Sequence, residues 1–171
     1  MKRYLVTAIL ITGAVALGSW VLIAPFSVPA IASTEQADAA AGEALYQDYC
    51  ASCHGDKLQG QPDWRSPGDD GRLPAPPHDK TGHTWHHGDD LLFSYTKLGG
   101  KAALARQGVD FNSGMPGFGG QLSDQQIWDI LAYIKTTWPD RQREMQATRS
   151  EAERLRKDAN CHIPEDSTVV F

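Results

Sequence analysis

The stretch Cys50-Ala51-Ser52-Cys53-His54 constrains this chain more than any other, because two thiols and an imidazole must find a common use within five residues. The chain has three cysteines, so they cannot all pair internally. An oxidising compartment would tend to join Cys50 to Cys53 as a strained or incidental disulfide unless something else claims the sulfurs. Zinc takes four ligands, and no second Cys-x-x-Cys completes a site. A thioredoxin-like pair needs a strand–helix context and has no use for His54. Haem needs all three groups. In Cys-x-x-Cys-His each thiol adds across a vinyl group to give a thioether, and the histidine that follows is placed to bind the iron from one face. One covalent haem c, held by Cys50 and Cys53 with His54 on its iron, is the expectation.

That chemistry requires export, and the N-terminus supplies it. Lys2 and Arg3 precede an uncharged run from Tyr4 to Ala32, closed by the small-x-small signal Ala30-Ile31-Ala32. Its apolar core, residues 4–24, is 21 residues, enough to span a bilayer as a helix. A cleaved signal peptide and a retained inner-membrane anchor are both open, and either places the rest of the chain in a periplasmic compartment. Without Lys2 and Arg3, 14 basic residues stand against 21 acidic ones, a formal charge of −7. Such a surface makes nucleic acid a poor partner, while a basic protein would be steered towards it.

The segment AGEALYQDYCASCHG resembles the opening of a bacterial class I c-type cytochrome, in which a short helix runs into the haem-attachment motif. The resemblance continues to LSDQQIWDILAYIKTTWP, covering residues 42–138. It implies an all-α fold wrapped around one covalently held haem, carrying single electrons between a redox donor and acceptor. It also implies that the first and last core helices cross where Gly42 and Tyr46 meet Ile130 and Tyr133, and that a proline carbonyl, of Pro76 or Pro77, accepts the other ring N–H of His54.

The residues support that fold independently. Ala41, Leu45 and Tyr49 follow helical spacing, as do Gly42 and Tyr46 on an adjacent face. Ser123 with Gln126 forms a capping box ahead of the apolar face of Ile127, Ile130, Leu131 and Ile134, and Pro139 stops the helix. Between them DDLLFSYTKLGG starts at Asp89 or Asp90 and stops at Gly99, and KAALARQG is closed by Gly108. No alternating strand pattern appears. The Pro-, Gly- and Asp-rich loop 55–88 is long for a compact domain unless it serves a site. Trp64, Arg65 and Trp85 within it are candidate donors to haem propionates.

Met1 is the initiator and Met145 lies in a charged segment, which leaves Met115, in the glycine-rich FNSGMPGFGG, as the second axial ligand, where the resembled family places its Met-Pro. Its thioether would favour ferrous iron. The rivals are His78, His83, His86 and His87, of which His83 and His86 also have a metal-holding spacing. Beyond Pro139 a highly charged segment carries Met145, Ala152, Leu155 and Ala159 near one helical stripe and reads as a solvated helical extension; Cys161 could form an intermolecular disulfide.

The expected organisation is therefore an export segment at 1–32, a cytochrome domain at 33–139 and an extension at 140–171. The expected function is electron transfer through His/Met-ligated iron, without enzymatic turnover. The alternatives are the haem subunit of a membrane oxidoreductase, a peroxidase-like enzyme with an open distal position, and a metal-handling module built on the histidine loop.

Overall fold

The computed structural model describes residues 36–161. The expected export segment, residues 1–32, lies outside them, as does the side chain of Cys161. Among the described residues there is no strand, and no helix is long and apolar enough to cross a membrane. The helices are α1 (Ala39–Tyr49), α2 (Ala51–His54), α3 (Asp89–Leu98), α4 (Gly100–Ala105), α5 (Asp124–Thr136) and α6 (Asp140–Cys161), with a 3-10 turn at Thr84–His86.

α1 and α5 form the centre. Asp38 caps α1, its carboxylate accepting the N–H groups of Ala40 and Ala41 at 2.9 and 3.3 Å, while its own N–H donates to Asp129 Oδ1 on α5 at 2.9 Å. The buried face of α1 is Gly42 and Tyr46. Of the adjacent set, Ala41 is exposed and Leu45 and Tyr49 are half-buried. A Cβ on Gly42 would lie 1.9 Å from the Asp129 carbonyl oxygen, so only glycine lets the two backbones approach this closely. Tyr46 is fully buried; its ring packs against Tyr133 at 5.5 Å and its hydroxyl donates to the Gly55 carbonyl at 3.0 Å.

α5 starts at the expected capping box, with Ser123 and Gln126 each satisfying the other's backbone N–H. Its buried residues include Ile127, Ile130, Leu131 and Ile134. Trp138, 2% exposed, closes the core just beyond the helix.

α3 has both aspartates in its first turn and ends at Gly99, whose φ of 84° admits glycine in preference to any residue with a Cβ. The N-cap position is Gly88, which offers no capping side chain. The cap comes from α6 instead. Ser150 Oγ accepts the Asp89 N–H and Glu153 Oε2 the Asp90 N–H, both at 3.0 Å.

The extension, expected as a solvated helix, folds back onto the start of α3, and of its apolar stripe Met145 and Ala152 are half-buried while the later residues stay in solvent. Leu155 is 54% exposed and Ala159 is also exposed, whereas Gln146 is 3% exposed. Gln146, Ser150, Glu153 and Lys157 form the docking stripe, every one of them polar. Their partners, the α3 amide groups and carboxylates, are themselves polar, so an apolar face would leave those groups unsatisfied.

Candidate cofactor site

The single turn of α2 brings Cys50, Cys53 and His54 together directly after α1. Cys50 N–H still bonds the Tyr46 carbonyl at 2.8 Å, so the motif is a continuation of the buried helix rather than a loose loop. Cys50 and Cys53 are not joined in a disulfide. Cys50 is buried, and burial, with the neighbouring Cys53, pushes its thiol up to about 12, which keeps it protonated.

Pro76, not Pro77, faces the imidazole, with His54 Nδ1 2.8 Å from the Pro76 carbonyl oxygen. A carbonyl only accepts, so Nδ1 carries the proton and Nε2 keeps its lone pair. Burial lowers the His54 pKa, against the opposing pull of the Pro76 bond, and favours the neutral ring that a metal ion requires. The loop holding Pro76 is itself fixed, through His78 N–H to the Leu58 carbonyl at 2.8 Å and Gln61 N–H to the Ala75 carbonyl at 2.9 Å.

A cavity of about 940 Å³ opens beside these residues. Cys50, Cys53, His54 and Met115 all line it, with Leu92 and Tyr95 of α3 and Ile130, Leu131 and Ile134 of α5. A volume near the top of the roughly 300–1,000 Å³ range of ligand sites, with mainly apolar walls, suits a large flat apolar cofactor. The donor set also suits haem: two thiols for covalent attachment, an oriented neutral imidazole and a thioether.

The Met115 segment runs along the end of α3 as a backbone ladder. Phe118 and Gly119 N–H groups donate to the Thr96 and Lys97 carbonyls at 2.9 Å each, and Gly100 N–H donates to the Met115 carbonyl at 3.1 Å. The first two bonds use carbonyls that a helix end leaves without partners. Ser113 Oγ accepts the Met115 N–H at 3.3 Å and lies 3.0 Å from the Tyr95 hydroxyl. Side chains are excluded where the two strands of chain cross, since a Cβ on Gly100 would sit 2.0 Å from Ser113 Oγ.

The histidines divide. His78 stacks on His54 at 4.0 Å between ring centres with 26° between planes. Two imidazoles aimed at one iron from opposite sides do not stack face to face, so His78 stands beside His54 rather than across from it. Thr84 Oγ1 lies 2.8 Å from His78 Nδ1 and 3.5 Å from the Pro77 carbonyl. Burial, first, and then the nearby His54 and His83 hold His78 neutral, well below the ordinary histidine range. His83 stacks on Trp64 and His86 on Trp85. Among the described residues no three His, Cys, Asp or Glu side chains converge as a metal set.

Of the candidate propionate donors, Trp64 lines the cavity and Arg65 and Trp85 do not. The Arg65 guanidinium instead lies 3.9 Å above the Trp64 ring, where the aromatic face holds the cation. Sequence reasoning had no means to find Tyr95 and Ser113 as supports of Met115, because neither belongs to a motif and their meeting depends on the fold. Compared with known proteins, the Cytochrome c family model matches residues 39–138, while no curated protein and no solved structure matches the chain.

Proposed function

Because the chain belongs to the cytochrome c family and so carries covalently bound haem c and transfers electrons, we propose that it is an exported single-electron carrier with His54 and Met115 as the iron ligands. The observation that supports this most is the convergence of Cys50, Cys53, His54 and Met115 on one cavity from segments about 60 residues apart in the chain. The haem iron supplies reversible one-electron exchange between its ferric and ferrous states.

The residues have separate tasks. Cys50 and Cys53 hold the cofactor by thioether bonds. His54, aimed through Pro76, presents Nε2 to the iron. Met115 contributes a soft thioether that favours the ferrous state. The apolar residues of α3 and α5 exclude water from the site, which limits solvent reorganisation when charge changes. Residues 33–139 form the cytochrome domain, residues 1–32 the export segment or inner-membrane anchor, and residues 140–171 an extension. The partners are a redox donor and acceptor in the periplasm, and a retained anchor would suit a subunit of a membrane oxidoreductase.

Met115→Ala decides between carrier and enzyme. The wild-type oxidised protein should show the weak long-wavelength charge-transfer band of His/Met haem and resist carbon monoxide when reduced. The variant should lose the band, show a lower reduction potential and bind carbon monoxide. Ready carbon monoxide binding by the wild-type protein would instead support a peroxidase-like site with an open distal position.

A further inference from the structure

We infer that α6 is a positioning element for Met115, acting through α3: Gln146, Ser150 and Glu153 fix the start of α3, and the end of α3 carries the Met115 segment. This rests on the reading of Met115 as the distal iron ligand.

At its start α3 depends on another helix. The first N–H groups of a helix have no partner within it and need a cap. Gly88 has none to give, and the Glu153 carboxyl occupies the space beside it, 2.2 Å from where a Cβ would stand. Ser150 and Glu153 accept the Asp89 and Asp90 N–H groups in its place. Gln146 Nε2 donates to Asp89 Oδ1 at 2.7 Å and to Ser150 Oγ at 3.0 Å. Lys157 pairs with Asp90 at 2.6 Å. Residues 146, 150, 153 and 157 follow helical spacing, so one stripe of α6 makes all these contacts.

At its other end α3 holds the Met115 segment by two backbone bonds, from Phe118 and Gly119, with a third from Gly100 at the start of α4, and by the Tyr95–Ser113 contact behind the Met115 N–H. Its middle, through Leu91, Leu92 and Thr96, lines the cavity. The two sets of contacts are joined by a ten-residue helix of under three turns. Releasing its first turn therefore loosens the segment that presents the thioether.

The test uses the full-length, haem-loaded protein. Ser150→Ala with Glu153→Ala removes both caps, and Ser150→Thr with Glu153→Gln keeps an acceptor oxygen at each position. Two quantities are read: amide hydrogen exchange at Phe118 and Gly119, and the affinity of added imidazole, which competes with Met115 for the iron. In the alanine pair, exchange at these amides should rise about tenfold. Imidazole should bind correspondingly tighter, while amide exchange at Ile130 and Leu131 stays unchanged, and the conservative pair should restore wild-type values. A lowered melting temperature with unchanged exchange at Phe118 and Gly119 would overturn the inference and leave α6 a structural appendage. If Met115→Ala alone does not alter imidazole affinity, the ligand assignment fails, and the exchange measurement still decides whether α6 acts through α3.

Discussion

α5 and α6 flank the same proline and dock by opposite chemistries. α5 buries Ile127, Ile130, Leu131 and Ile134 against α1 and the cavity, gaining from the removal of apolar surface from water. α6 buries Gln146 and uses Ser150, Glu153 and Lys157 to satisfy the amide groups and carboxylates at the start of α3. Apolar burial needs shape and volume but little direction, whereas polar docking is directional and binds only where donors and acceptors align. The first kind of contact builds the body of a domain. The second fixes where one element sits on another.

Four changes sharpen or break that contrast. The largest effect belongs to α5. Ile130→Ala should lower stability by about 2–5 kcal/mol in denaturant unfolding of the haem-loaded protein, through lost burial and the void it leaves. Ser150→Ala removes one cap of α3 and should cost about 1 kcal/mol by the same measurement, with faster exchange in the first turn of α3 and a smaller rise at Phe118 and Gly119. A loss as large as that at Ile130 would show that α6 belongs to the core.

Smaller still is the effect of Glu153→Gln, and it depends on pH. Burial beside α3 raises the Glu153 carboxyl above its ordinary range, with the Asp90 and Leu91 N–H groups opposing and the Asp90 and Asp89 charges adding to the rise. From its unfolded value near 4.5 up to the raised folded value, the native state holds the extra proton. Stability therefore falls as pH rises through that window. Glutamine keeps an acceptor oxygen and does not titrate, so a urea midpoint followed over that window should lose this decline. The smallest effect is expected for Leu155→Ala, within about 0.5 kcal/mol, because Leu155 is exposed. A clear loss there would show that the apolar stripe also packs against the domain.

How much could be read in advance follows the same division. Ser123, Gln126 and the apolar face of α5 are local signals, and the helix forms where they place it. Gly42 and Tyr46 were readable as a pair, although spacing alone did not rank them above Ala41 and Leu45. Cys50, Cys53 and His54 announce themselves by spacing. Pro76 could not be separated from Pro77, because the atom that matters is a backbone carbonyl and the two residues offer the same one. The stripe of Gln146, Ser150 and Glu153 has visible helical periodicity, but polar residues at that spacing look the same whether they face water or a helix end. Arg65 was assigned by its charge, and the ring of Trp64 beside it took the guanidinium instead.

The indole of Trp138 donates to the His78 carbonyl at 2.7 Å, joining positions 60 residues apart, whereas the bond from His54 to Pro76 spans only 22. Closing the longer loop takes about 1 kcal/mol more chain entropy. That contact exists only when α5 has already packed and brought Trp138 into the core. Pro76 and His78 share one short stretch of backbone, so the aim of the His54 ring is cooperative with assembly of the whole domain. The motif carries the imidazole, and the last aromatic residue of the core helps set how firmly that ring is pointed.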